Sequence, residues 1–179
     1  MGAIGKPSIL IVYDPRMRLV PELAQFIAGG VVKGGGVPTL CSTGMITLEE
    51  LKAADGMAVG CANWTGVTSV LKTWFDSLGS QWEEGTFNGK AGAAFTIGDG
   101  PGAGTEFTLW SILHWMMANG MVAVGLPWME EMKQGGSYYG AAASRGVIEE
   151  AEQRMAQQLG IRLAQVADAL KKQNAFGIL

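Results

Sequence analysis

Histidine and cysteine are nearly missing from this 179-residue chain, which has one His and two Cys. A lone His114 excludes a histidine-rich metal site. Cys41 and Cys61 form no CxxC pair and fit neither a zinc site nor a disulfide framework. Charge is scarce as well: 16% of residues are charged, against ~25% in an average globular protein. With a net charge of −3, the chain offers no field that would attract nucleic acid or an anionic membrane. No apolar run approaches the ~20 residues that would span a bilayer. The opening MGAIGK lacks a signal-peptide core and the Ser or Thr at position six needed for myristoylation. These absences lead to the expectation of a cytoplasmic protein with no membrane span, no metal and no nucleic-acid partner.

What is present is apolar and glycine-rich: 48% hydrophobic residues, 27 Gly, ten Met and six Trp. Such a balance suits apolar surface buried between subunits of a homo-oligomer. It equally suits a Gly- and Ala-rich chain that is only moderately hydrophobic. At this length one domain over residues 1–179 can build a substantial core.

Short apolar runs alternate with helical periodicities. SILIVY (8–13) reads as a strand buried on both faces. Pro21 suits the first turn of a following helix whose Leu23, Phe26, Ile27 and Val31 form one stripe. VPTLC (37–41) is a weaker second strand, and Thr47 with Glu50 matches a capping box before the third strand, GMAVG (56–60). Thr68 or Ser69 can cap a helix carrying Val70, Leu71, Trp74, Phe75 and Leu78. AGAAFTIG (91–98) is a fourth strand. A helix capped by Thr105 and stopped by Gly120 leads to the fifth, MVAVG (121–125). After a loop of about twenty residues, the last helix presents Met155, Leu159, Leu163, Val166 and Leu170 on one face. Regular alternation of this kind predicts an α/β fold: a doubly wound parallel sheet of five strands, order 2-1-3-4-5, with helices on both faces. Its ligand crevice lies outside the carboxyl ends of the strands, where loops 13–21, 60–68 and 98–105 converge.

Those loops set the candidate chemistry. TIGDGPGAGTEFT supplies Gly98, Asp99, Gly100, Gly102, Gly104 and Glu106, with a backbone able to approach a flat ligand. Its bland alternative is a flexible turn before a helix. GCANWTGVTS offers Asn63, Thr65 and Thr68 as polar groups, Trp64 as an aromatic face and Gly66 for close approach, a mixture suited to an aromatic heterocycle with amide edges; Trp64 would serve equally as a subunit contact. VYDPRMRLVPEL has no Gly, Ser or Thr where a phosphate cradle would stand, but carries Asp14, Arg16 and Arg18. Either arginine can fork onto phosphate oxygens, offsetting Asp14. Alternatively both are solvated and pair with the acid. His114, inside a helix, and Glu83 and Glu84, in a turn, have no assigned role.

Several segments carry a resemblance: ADGMAVG, LKTWFDSLGSQWEEGTFNGKAGAAFT, GTEFTLWSIL, and NGMVAVGLPW followed by GGSYYGA. They resemble the flavodoxin-like NAD(P)H:quinone oxidoreductases related to the tryptophan repressor-binding protein, over about residues 8 to 170. The resemblance implies a flavodoxin-like fold, an FMN cofactor, a homotetramer, and two-electron transfer from NAD(P)H to quinones or similar small-molecule acceptors. The flavin carries such redox chemistry, and the protein holds and tunes it.

Residue by residue, the likeness is uneven. The family's phosphate loop, S-x-x-G-N/H-T/I, corresponds to Asp14 through Leu19, which keep neither the Ser nor the Gly. Of the isoalloxazine loop G-S/T-P-T-R-F-G-N-M, only Gly60 and Gly66 are retained. The S-T-G-x-x-G-G-G-Q-E loop corresponds to Thr96 through Glu106, and a family His-His-Gly becomes Ala118-Asn119-Gly120. Trp82 and Tyr139 match; in the family's tetramer their segments approach a neighbouring subunit's flavin site. The resulting expectation is an FMN-dependent oxidoreductase with Arg16, Arg18 and Leu19 at the phosphate. The alternative is a degenerate flavodoxin-like protein, without flavin activity, that serves as a binding or structural subunit.

Overall fold

The computed structural model describes residues 5–100, 102–144 and 146–175. Residues 1–4 of the MGAIGK segment lie outside the described residues. In chain order the elements are β1 (Ser8–Tyr13), α1 (Leu19–Lys33), β2 (Val37–Ser42), α2 (Leu48–Ala53), β3 (Gly56–Ala62), α3 (Ser69–Ser77), α4 (Gly79–Glu83), β4 (Ala91–Ile97), α5 (Thr105–Ala118), β5 (Val122–Ala123), β6 (Gly140–Ala143) and α6 (Glu150–Ala175). A 3-10 turn at Glu130–Gln134 lies between β5 and β6.

The strands form a parallel sheet in the order β2-β1-β3-β4-β5. Side-chain alternation along β1 explains its unbroken apolar run. Ile9 and Ile11 face a core formed with α1 and α6, while Leu10 and Val12 face a second core with Leu51, Leu71, Trp74, Leu109 and Ile112. The first core depends on small residues: Gly30 of α1 and Gly160 of α6 let the two helix backbones come together with no side chain between them. Cys41 and Cys61 sit on β2 and β3 with β1 between them, and both thiols are free.

The fifth sheet position differs in detail from the expected MVAVG strand. Only Val122 and Ala123 pair there, with Ala91 and Gly92 at the start of β4. The rest of that edge of β4, Ala94 to Ile97, pairs in parallel with β6. The chain thus leaves the sheet after two residues, runs through the 3-10 turn, and returns within the loop expected after strand 5. Gly140 permits the return: its φ is +159°, and a Cβ there would stand 2.1 Å from the Ala94 carbonyl oxygen.

The capping box of Thr47 and Glu50 is formed, and Thr68 caps α3 through Leu71 N–H. Thr105 is not the cap of α5. That position belongs to Gly104, at φ +82°, with Thr105 the first helical residue. Gly120, at φ +73°, follows the C-cap residue Asn119, as its stop role requires.

Candidate functional site at the carboxyl edge of the sheet

β1, β3 and β4 end at Tyr13, Ala62 and Ile97, so the loops beyond them open on the same edge of the sheet. A cleft of about 440 Å³ lies where β1 meets β3, lined by Asp14, Arg16, Met17, Ala62, Trp64, Thr68 and Ser69. Its position is the topological switch point at which doubly wound sheets bind ligands. Trp64 is 72% exposed and lays an indole along the cleft. Thr65 follows with φ +55° and Gly66 with φ +121°. A β-branched residue in the left-handed region is strained by roughly 1–3 kcal/mol, a cost that tends to be retained at ligand-contacting loops.

At the floor of the cleft stands Asp14, only 2% exposed. Its Oδ1 accepts from the Arg16 backbone N–H at 3.1 Å and from Arg16 Nε at 3.0 Å. Its Oδ2 accepts from Arg16 Nε at 3.0 Å, Arg16 Nη2 at 2.7 Å and the Thr68 hydroxyl at 2.6 Å. Burial pushes the Asp14 pKa up, but the bonds from Arg16 and Thr68 outweigh it and hold the carboxyl below its ordinary value. The acid is ionised and fixed. Thr68 performs two tasks with one oxygen, since it also accepts from Leu71 N–H at 3.3 Å.

Asn63 joins the second loop to the third. Its Nδ2 donates to the Ala103 carbonyl at 2.6 Å, and its Oδ1 accepts from the Thr108 hydroxyl at 2.7 Å. The amide is therefore engaged in bracing. The third loop divides: Gly98 N–H bonds to Ala143 at 2.8 Å, and Asp99 is exposed. Gly102, Gly104 and Glu106 line a separate cavity of about 340 Å³ toward the start of α6. Arg18 points away from the cleft and pairs with Glu22 at 3.0 Å on the exposed surface of α1. The Leu19 side chain packs against the core of α1 and α6.

Three sequence-selected residues lie elsewhere. Asn119 is the C-cap of α5. The helix has 14 residues, which puts Asn119 about 21 Å from the carboxyl edge. Trp82 sits beside it, its indole N–H donating to the Ala118 carbonyl at 2.9 Å. Tyr139 packs edge-on to Trp110 of α5. Of the cleft lining, sequence reading did not select Met17, Ala62 and Ser69, and it named Asp14 and Thr68 in their loops without finding the bond between them. Neither thiol is poised for nucleophilic chemistry, since burial raises Cys61 and pushes Cys41 up to about 11. Among the described residues there is no group of three or more His, Cys, Asp or Glu that could hold a metal ion.

Comparison with known proteins gives a consistent family. No protein-family model matches the chain. A protein named NAD(P)H dehydrogenase (quinone) from Archaeoglobus fulgidus is 43% identical over 123 residues, covering 68% of this chain and 64% of that relative. A protein of the same name from Methylocella silvestris is 30% identical, with 92% of this chain and 98% of the relative covered. The chain belongs to the flavodoxin-like NAD(P)H dehydrogenase (quinone) family. Its fold is likewise that of a solved flavodoxin, WrbA-like protein from Agrobacterium tumefaciens, with a TM-score of 0.73 at 17% identity and 92% and 99% of the two chains covered.

Within that family pattern, the phosphate-loop Ser is replaced by buried Asp14 and the Gly by Met17, whose side chain lines the cleft. At an effective dielectric of 20, like charges 5 Å apart repel by about 3 kcal/mol, so Asp14 weighs against a phosphate placed beside it.

Proposed function

We propose that the chain is an FMN-dependent oxidoreductase that passes electrons from NAD(P)H to quinones or similar small-molecule acceptors. It acts as one flavodoxin-like domain, in a cytoplasmic homo-oligomer, dimer or tetramer. The observation that carries this reading is the cleft of about 440 Å³ at the β1–β3 switch point, walled by the Asp14–Met17 and Ala62–Ser69 loops. The volume lies within the range of ~300–1,000 Å³ usual for small-molecule sites.

The ring end suits a flavin. The Trp64 indole and the Thr65–Gly66 backbone offer a flat, largely apolar wall. Asn63 holds the second and third loops at a fixed separation. A bound flavin supplies the electron-transfer chemistry. The chain's own residues position the ring, limit its exposure to water, and fix the loops before binding. At the phosphate end, Arg16 keeps its outer guanidinium edge toward the cleft, and Leu19 N–H opens the first turn of α1.

The oligomeric reading is supported by α5. Phe107, Trp110 and Met117 are exposed along one side of it, with Tyr138, Tyr139 and Trp128 among the other exposed apolar residues. Trp110 and Tyr139 pack edge-on within this exposed apolar surface, the kind of surface that subunit contacts cover. Trp82 and Tyr139, both exposed, would act on a neighbouring copy's flavin and not their own.

The purified protein should be yellow, or should quench the fluorescence of added FMN, and should oxidise NADH or NADPH when a quinone is supplied. A second reading, a degenerate flavodoxin-like binding subunit, is favoured by one specific observation: Arg16 and Arg18 are both paired within their own segment. Colourless protein that ignores FMN, FAD and riboflavin, without NAD(P)H turnover, would establish that reading in place of the first.

A further inference from the structure

Several donors around the β1–α1 loop are already spent on an anion, and that anion is part of the chain. Asp14 receives the Arg16 backbone N–H, Arg16 Nε and Nη2, and the Thr68 hydroxyl. A hydroxyl proton donated to Asp14 is not available to a ligand, and neither are the guanidinium protons that fork onto it. Arg18, the other cation of the loop, is held by Glu22. The four charges of this segment cancel in pairs. Met17 then places a thioether chain in the cleft at the position where the family loop has glycine.

We infer that Asp14 and Met17 make this cleft read the ring and ribityl chain of a flavin and not its phosphate. Riboflavin then binds as tightly as FMN, or more tightly. The inference rests on the flavin reading above and specifies which part of the molecule the site recognises. Asp14 occupies the role that a bound phosphate would fill: a buried anion saturated by local donors, with its charge neutralised by Arg16. A phosphorylated flavin brings a second anion to a loop whose two arginines are each already ion-paired, beside an ionised carboxylate, with only the outer edge of the Arg16 guanidinium left to meet it. The phosphate therefore stays in solvent at the mouth of the cleft.

The test is the ratio of dissociation constants for riboflavin and FMN, measured by fluorescence quenching on the wild-type chain, Asp14→Asn, and the Asp14→Ser/Met17→Gly pair. Wild type should bind FMN no more tightly than riboflavin. Asp14→Asn keeps the shape and removes the charge, so FMN should gain on riboflavin. The double variant releases Arg16 and the Thr68 hydroxyl and empties the Met17 volume, and should favour FMN by roughly tenfold or more. Because Asp14 and Met17 both line the cleft, riboflavin affinity and the unfolding midpoint are measured for each variant, and the FMN-to-riboflavin ratio cancels any loss that the two flavins share. Wild-type protein that binds FMN measurably more tightly than riboflavin would overturn the inference. So would a ratio that no variant moves. Failure of wild type to quench either flavin would overturn the flavin reading itself, and this inference with it.

Discussion

Two neighbouring glycines in α1 should respond to the same substitution with opposite signs. Gly29 is on the exposed side of the helix, and a Cβ built there meets nothing within 4 Å. Gly30 faces α6, and its Cβ would stand 2.0 Å from the Gln157 carbonyl oxygen and 2.9 Å from the Gln157 Cα. For Gly29→Ala only helix propensity changes, which favours alanine by about 1 kcal/mol. Gly30→Ala gains the same propensity but cannot be accommodated by a rotamer change, because every atom it meets is backbone. The helices must separate by on the order of 1 Å, a gap that forfeits a quarter to a half of the dispersion well for atoms facing across it.

That separation is felt by a large surface. Leu23, Ile27 and Val31 of α1 and Met155, Leu159 and Leu163 of α6 are all in the core on this side of the sheet, each almost fully buried. Overpacking costs ~1–3 kcal/mol in ordinary cores, and this contact involves backbone on both sides. Gly30→Ala should therefore destabilise by a net ~2 kcal/mol, lowering Tm by roughly 4–8 °C for a chain of this size, while Gly29→Ala raises it by about 1–4 °C. Gly160→Ala, whose Cβ would stand 2.1 Å from the Ile27 carbonyl oxygen, should resemble Gly30→Ala. The Gly30/Gly160 double variant should cost less than the sum, since one separation relieves both clashes. Thermal and urea unfolding of the four variants and wild type measure this directly. If Gly29→Ala and Gly30→Ala moved stability in the same direction, the close backbone approach of α1 and α6 would be refuted.

Asp14 contributes a pH dependence of definite sign. Its pKa is held below the value it has in the unfolded chain, so its stabilisation is complete above the unfolded pKa of ~3.9 and is lost as pH falls through the folded value. Unfolding free energies of wild type and Asp14→Asn should thus differ most near neutrality, by about 1–3 kcal/mol, and converge in acid; a constant difference at all pH values would contradict the ionised, bonded carboxylate. On α5, Phe107→Ser with Trp110→Ser should shift sedimentation toward the monomer and leave the far-ultraviolet circular dichroism unchanged. An unaltered oligomer would remove α5 from the proposed interface.

Much of this architecture could be read directly because its signals are local. β1 reads as a continuous apolar run because both of its faces are covered, and the Thr47–Glu50 box lies within four residues of chain. Gly120 marks a helix end through its own backbone angle. The segments that escaped have no local signal. Gly140–Ala143, sequence GAAA, contains no β-branched or aromatic residue, and it becomes a strand only because the open edge of Ala94–Ile97 accepts it. Thr105 has the right chemistry for a cap, but Gly104 has the left-handed conformation that the turn demands. At the candidate site, the loops could be located from the sheet order. The pairing of Asp14 with Thr68 could not, because 54 positions separate them and only the adjacency of β1 and β3 joins them.

The same adjacency explains why a loop with an apparently unsuitable sequence retains an ordered cleft. In a flavodoxin-like sheet, the β1–α1 loop faces the start of α3 across the β1–β3 boundary, and something must satisfy the donors that meet there. A bound phosphate is one solution, but it leaves the donors unpaired whenever the ligand is absent. Asp14 is another: it is 2% exposed and accepts from a backbone N–H, a guanidinium and a hydroxyl at once, with no ligand required. The ionised carboxylate is stabilised there by the same short donors that a phosphate would use, so the loop is ordered at no expense to Thr68, which still caps α3. The consequence is a separation of tasks. Organisation of the cleft is intrinsic to the chain, and on the flavin reading proposed above affinity would come from the ring end, beside Trp64 and the strained Thr65 backbone. Substitution of Trp64 should therefore weaken flavin binding more than substitution of Arg18, the reverse of what a phosphate-anchored site would give.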